Sequence, residues 1–316
     1  MTPEQTGRLP AMVYHPCYSE LELPERHRYP ISKYRVLYQQ LLRLGLSPTD
    51  FVQPEAISLQ QLAQYHCPDY IRQLSDGSID AKAMRRIGFP WSSALFQRSL
   101  RSVGGTVLSA QLALDHGIAL HLSGGYHHAF YGEGSGFCLF NDLVVAAKTL
   151  LGQGVEKILL LDLDVHQGDG SAQMTKDEPR IISCSLHCEK NFPYRKQQSD
   201  WDIGLDKNCS DSEYLQAVEQ SLSTLINWHK PDLVIYDAGV DVHSDDELGL
   251  LNLSTQTLYQ RDLLVLQFCR QQHIPVAAVI GGGYQRNVEA LVALHMQLFK
   301  AAFSLSGLAL AGKIET

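Results

Sequence analysis

Short apolar runs rich in Val, Ile and Leu alternate along the chain with longer segments whose apolar residues recur at helical spacing. The runs 118–122, 158–163, 181–186, 233–236 and 276–280 have strand length and little polar interruption, the pattern of strands buried on both faces. Helical periodicity predicts helices near 31–46, 68–75, 92–116, 141–151, 212–229 and 257–272. Strands alternating with helices predict an α/β fold, a mostly parallel sheet with helices on both faces. No repeat, low-complexity tract or Pro/Gly/Ser-rich linker divides the chain, so one domain over 1–316 is expected.

In an open α/β sheet, ligands bind beyond the carboxyl ends of the strands. Polar and glycine-rich residues concentrate there: Gly124-Gly125-Tyr126-His127-His128 after the first run and Asp162-Leu163-Asp164-Val165-His166-Gln167-Gly168-Asp169-Gly170 on the second. Ser185-Leu186-His187 ends the third, Ala238-Gly239-Val240-Asp241 follows the fourth, and Gly281-Gly282-Gly283-Tyr284 follows the fifth. Alternation along a strand turns Asp162, Asp164 and His166 to one side and Leu161, Leu163 and Val165 to the other. Buried carboxylates side by side repel and resist desolvation, and a bound cation relieves both costs. Asp oxygen and His nitrogen suit a catalytic zinc with three protein ligands. Asp164 and His166 supply two, and Asp241 is the best third, since Gly239 lets the backbone approach. The competing view is a strand end with capping aspartates and a turn at Gly168-Asp169-Gly170.

Composition narrows this picture. A chain of 316 residues, 45% hydrophobic and 19% charged, can bury a large core, and disorder is excluded as its main state. No uninterrupted apolar stretch has the length of a membrane span, and the first residues lack a secretory signal pattern, so a cytoplasmic protein without membrane association is expected. A net charge of −8 argues against a broad nucleic-acid surface and would attract a basic or cationic substrate. The seven cysteines form no CxxC pairs, so reduced thiols are expected. A soft site at Cys184 to Cys188 lacks partners; Cys184 reads as a buried strand residue and Cys188 as the start of a loop.

Adjacent histidines, each with an aspartate, suit general acid–base work, because a carboxylate fixes the imidazole tautomer and can hold each ring in a different protonation state. Asp162 and Asp169 are the aspartates left over from the metal. Tyr284, after three glycines, is placed to donate its phenolic proton to a developing oxyanion.

These segments, with Gly136-Phe137-Cys138 and Asn141-Asp142, resemble in kind and order the zinc-dependent histone deacetylase family, which includes bacterial acetoin-utilisation proteins and acetylpolyamine amidohydrolases. The resemblance covers about 120–285. It implies a single-domain arginase/deacetylase-like fold and a hydrolase that removes acetyl or longer acyl groups from the side-chain amine of lysine. Asp164, His166 and Asp241 would bind zinc, His128 would be general base and then acid, and His127 would give electrostatic support. Asp162 would pair with His127 and Asp169 with His128, while Tyr284 would polarise the carbonyl. Phe137 and Phe192 would wall a narrow channel, and the Gly136 carbonyl would hold the substrate amide N–H. A potassium ion is also implied, at Asp162, Asp164, His166, Ser185 and Leu186.

Gln167 replaces the second His of the family's Asp-x-His-His-Gly-Asp-Gly pattern, and Ile280 replaces one of four glycines before the tyrosine. Both resemble the class IV branch, some of whose members take long acyl chains. The partner is therefore an acylated lysine in protein or peptide, or an acylated polyamine. Counting from Asp241 puts Leu248 at the rim position that separates these, but a slip of one residue would put Glu247 there. A dinuclear manganese ureohydrolase would need further carboxylates where Gly168 and Gly239 stand. An inactive acyl-lysine reader is disfavoured because every catalytic position holds a competent residue. A homo-oligomer that completes the channel mouth is compatible with the resemblance.

Overall fold

The computed structural model describes residues 9–306, so the ends of the domain expected over 1–316 lie outside the described residues. In chain order the elements are β1 (Ala11–Val13), α1 (Lys33–Arg43), β2 (Phe51–Val52), α2 (Leu59–Leu62), α3 (Pro68–Asp76), α4 (Ala81–Ile87), α5 (Ser93–His116), β3 (Ile118–His121), α6 (Asp142–Gly152), β4 (Ile158–Asp162), α7 (Asp169–Thr175), β5 (Ile181–Cys188), β6 (Trp201–Leu205), α8 (Asp211–His229), β7 (Leu233–Asp237), α9 (Thr255–Gln271), β8 (Val276–Val279) and α10 (Val288–Ser306).

The strands form one eight-stranded sheet in the order β2-β1-β3-β8-β7-β4-β5-β6. Every pair is parallel, so the sheet is wholly rather than mostly parallel. Alternate side chains feed two cores: Leu159, Leu161, Val234 and Tyr236 join one with residues of α1, α8, α9 and α10. Ile158, Leu160, Leu233 and Ile235 join the other with α6 and part of α5. This is the single-sheet α/β arrangement of the arginase/deacetylase fold, with helices on both faces.

Each expected helix forms, and serine or asparagine caps set several starts. Ser92 accepts from the Leu95 N–H and Asn141 from the Val144 N–H, while Ser210 and Glu213 form a capping box. Elements not expected from the pattern are β1 and β2, too short to show a period; β6, whose exposure alternates as an edge strand; and α2, α4, α7 and α10. Helix α10 is long and apolar enough by composition to cross a membrane, but most of it is buried against α9 and α1. One local expectation and one feature of the competing view are corrected. Gly168-Asp169-Gly170 is the start of α7 rather than a plain turn, and Cys188 is the last residue of β5 rather than the start of a loop.

The central strands β3, β8, β7, β4 and β5 are neighbours, and all the polar segments singled out above leave their carboxyl ends. Sheet order therefore brings together residues more than a hundred positions apart.

Candidate active site

Asp164, His166 and Asp241 are buried and converge. His166 Nδ1 lies 3.0 Å from Asp164 Oδ1 and 3.1 Å from Asp241 Oδ2. The other carboxylate oxygens are anchored: Asp164 Oδ2 accepts the Gly282 N–H at 2.9 Å, and Asp241 Oδ1 accepts the Val165 N–H at 2.9 Å. Glycine is required at two approaches, since a Cβ on Gly239 would stand 2.4 Å from Asp164 Oδ2, and one on Gly282 would stand 2.2 Å from Asp241 Oδ2.

Burial lifts Asp241 to a pKa of about 7, aided by the charge of Asp164. For His166, burial opposes protonation, but the hydrogen bonds it donates to Asp164 and Asp241 prevail and raise it to about 10. The cluster thus retains protons to supply the positive charge its carboxylates lack, and its donor set of two carboxylates and one imidazole fits a zinc-type cation.

Beside it, His127 Nδ1 bonds Asp162 Oδ2 at 2.8 Å, His128 Nδ1 bonds Asp169 Oδ1 at 2.7 Å, and the two Nε2 atoms are 3.1 Å apart. Both expected pairs are therefore present. Burial disfavours the His127 cation, but Asp162 and Asp164 overcome this and raise its pKa well above the ordinary value. His128 is lowered to about 4 by burial and by the charge of His127, against the pull of Asp169. The loop carrying both is held from the start of α6: Asn141 Nδ2 donates to the His127 and Ala129 carbonyls, and Asp142 accepts the Gly125 and Tyr126 N–H groups.

Tyr284 faces this group with its ring centroid 6.3 Å from that of His166. Burial and the charges of Asp164 and Asp241 raise its pKa well above the phenol value, so its hydroxyl keeps its proton. Its backbone N–H donates to Asp246 Oδ2 at 2.7 Å. A cavity of about 380 Å³ leads to the site, lined by His128, Gly136, Phe137, His166, Phe192, Leu248 and Tyr284 among others. All the expected channel residues are thus gathered. Phe137 adopts φ 66°, a left-handed conformation uncommon outside glycine, fixed by its N–H to the Ile87 carbonyl at 2.7 Å.

Two side chains of the set expected for a monovalent cation have partners within the protein. Asp162 Oδ1 accepts the Asp164 N–H, while the Ser185 hydroxyl is 3.0 Å from His187 Nδ1. A cavity of about 10 Å³ touches Asp162 and Ser185 but not Asp164, His166 or Leu186.

Four residues matter here that the pattern did not assign. Asp237 pairs in register with Asp162, is fully buried, and has no hydrogen-bond partner for either oxygen; it stands 4.0 Å from His127 Nδ1. Consequently Asp162 falls into a second group with His127 and Asp237, apart from the group of Asp164, His166 and Asp241. Lys33, buried at the start of α1, donates to the Gly281 carbonyl at 3.0 Å and backs the glycine loop. Asp246 accepts the N–H groups of Leu248, Gly249 and Tyr284. Gln167 exchanges hydrogen bonds with the Gln197 backbone and donates to Asp202, tying the loop that carries Asp164 and His166 to the segment after Phe192. Only Gln167 carried a signal in the sequence, as a departure from the family pattern.

The parallel sheet and the buried cluster beyond its strand ends place the molecule in the arginase/deacetylase class of α/β folds. Solved structures with this fold include an HDAC homolog from Aquifex aeolicus, with a TM-score of 0.80, 24% identity, and coverage of 95% of this chain and 84% of that one. The histone deacetylase domain matches residues 27–299, and the chain belongs to that family of deacetylases. A protein of Picosynechococcus is 48% identical over 92% of this chain and 97% of its own length. Histone deacetylase 2 of Arabidopsis thaliana is 28% identical over 90% and 76%, and acetoin utilization protein AcuC of Bacillus subtilis is 29% identical over 86% and 76%.

Proposed function

We propose that this deacetylase is zinc-dependent and hydrolyses the amide of an acylated lysine side chain. The observation that carries the reading is the convergence of the Asp164–His166–Asp241 cluster, the His128–Asp169 pair and Tyr284 at one end of an apolar channel. Zinc held by the three ligands would supply Lewis-acid polarisation of the carbonyl and a water of lowered pKa. His128 is uncharged above a pH of about 4 and lines the cavity, so it is the base that accepts the proton of the attacking water. The His127 cation and the protonated Tyr284 hydroxyl stabilise negative charge on the carbonyl oxygen. His128 then returns its proton to the departing amine. Phe137 and Phe192 flank the lysine stem, and the Gly136 carbonyl receives the amide N–H. Potassium on Asp162, Ser185 and neighbouring carbonyls belongs to the same reading.

Lysine is favoured over a polyamine because Leu248 lines the cavity, whereas Glu247 lies 3.1 Å from Arg286 Nε and borders a neighbouring groove. The test is a panel of acetyl-lysine, long-chain acyl-lysine and acetylpolyamine substrates on zinc-loaded enzyme. Turnover of the lysine amides supports the reading; turnover of the polyamine alone, or of none, overturns it.

A further inference from the structure

The chain carries a net charge of −8, yet among the described residues no Asp or Glu lines the channel, and the charged residues lining it are Arg86 and Lys190. Most acids near the mouth residues in sequence have partners of their own. Glu247 is drawn to Arg286, and the Asp246 carboxylate turns inward onto backbone N–H groups. Glu189 lies along β6, where a Cβ on Gly204 would be 2.2 Å from its Oε2. Glu133 pairs with Arg86 at 2.8 Å. Besides the exposed Arg86 and Lys190, the open side chains at the mouth are apolar or aromatic: Tyr194 is 94% exposed, Leu250 46% and Phe192 37%. Grouped exposed side chains of this size are informative where a single one is not. They come from two loops that Asn191 locks together, donating to the Leu248 carbonyl at 2.8 Å and accepting the Leu250 N–H at 2.9 Å. The collar is therefore a built surface, continuous with the channel.

We infer that the mouth selects acyl-lysines whose chain neighbours are apolar or aromatic and disfavours lysines set among further cations. The inference rests on the acyl-lysine reading above and narrows its substrate class. A flanking Leu or Phe covers Tyr194 and Leu250, whereas a flanking Lys meets Lys190, and the acid at this edge, Glu133, is already engaged by Arg86.

The experiment uses zinc-loaded enzyme and three peptides that differ only in the residues beside one acetyl-lysine: Leu and Phe, Ala and Ala, or Lys and Lys. Expected is a kcat/KM ranked in that order with steps of roughly 3- to 10-fold carried by KM, the Lys penalty shrinking with added salt. In Tyr194→Ser/Leu250→Ser the apolar advantage collapses relative to the Ala peptide, and in Lys190→Glu the Lys penalty falls. Labelled forms of the same peptides, titrated into zinc-loaded Tyr284→Phe, read the mouth without turnover. Apolar preference in binding without hydrolysis by the unsubstituted enzyme sustains this inference and sinks the catalytic one. Hydrolysis with equal or Lys-favouring kcat/KM sinks this inference alone. A dimer broken by Leu250→Ser, with no flank preference, overturns it in favour of a second copy of the chain on the collar.

Discussion

His127 and His128 turn their Nε2 atoms toward each other at 3.1 Å while their Nδ1 atoms diverge to separate aspartates. Burial at this spacing disfavours two charges, and the nearer carboxylates assign the proton to His127. One ring is held as a cation and the other as a neutral base.

A pH dependence follows. Burial and the His127 charge lower His128 from 6.5 to about 4, so the acid limb of kcat/KM is expected to have its midpoint below 6.5. Asp169 pulls the other way, so Asp169→Asn moves that midpoint lower still. It also cuts kcat by about 10- to 100-fold, a part of the ~10²- to 10⁴-fold general acid–base contribution. A pH profile unchanged by the substitution would sink the pairing.

Tyr284→Phe removes only a hydroxyl, and its backbone anchor on Asp246 remains. The expected result is unchanged zinc content with kcat reduced roughly 10²- to 10³-fold, the cost of one oxyanion donor. Metal analysis beside steady-state kinetics checks it, and near-normal kcat refutes the role.

Removal of the cation should make the cluster's own contribution to stability fall as pH rises. Asp241 goes from 3.8 to about 7 in the fold, so the stability its protonated form contributes is complete below 3.8 and lost as pH passes about 7. His166 goes from 6.5 to about 10, so its contribution is complete below 6.5 and lost as pH passes about 10. Asp164 is lowered, and the stability it adds is already complete above 3.8. Chelator-treated protein is thus expected to lose more melting temperature between pH 5 and pH 9 than zinc-loaded protein, a difference in which the other buried histidines cancel, and added zinc should restore melting temperature and activity together. Equal changes with and without zinc would argue against the cluster as the metal seat.

Gly282→Ala puts a methyl group 2.2 Å from Asp241 Oδ2 and 2.4 Å from Asp164 Oδ2. Both are proposed ligand carboxylates, so zinc affinity should drop by at least about 10-fold, on the scale seen when ligand support is disturbed. Metal titration with a competing chelator measures this, and wild-type affinity would show that the loop yields without cost.

Most central strands and the helices between them were legible because their signals are local. A run such as Ile158 to Leu161 has one way to bury itself, and serines before helical periods mark their starts. Three strands escaped because a two- or three-residue strand has no period to read and an edge strand is only half apolar. The convergence of Asp164, His166 and Asp241 was legible because spacing along a strand end and a neighbouring glycine constrain where they point. Asp237 lies one residue past the 233–236 run and was passed over, since nothing local separates it from an ordinary strand-end aspartate. Its lack of hydrogen-bond partners is visible only once β7 lies beside β4.

The sequence by itself determined the class of fold, the ligand chemistry and the tandem histidines, because these depend on residue type and short-range geometry. Tertiary structure alone decided how charge is distributed around them. Lys33 reaches Gly281 across 248 residues, Asp246 turns inward to Tyr284 across 38, and Glu247 swings out to Arg286 across 39. Adjacent acids in one loop take opposite directions because each follows the donors the fold offers it. The negative net charge therefore does not reach the mouth, which is apolar and weakly basic, and no count of residues could have shown that.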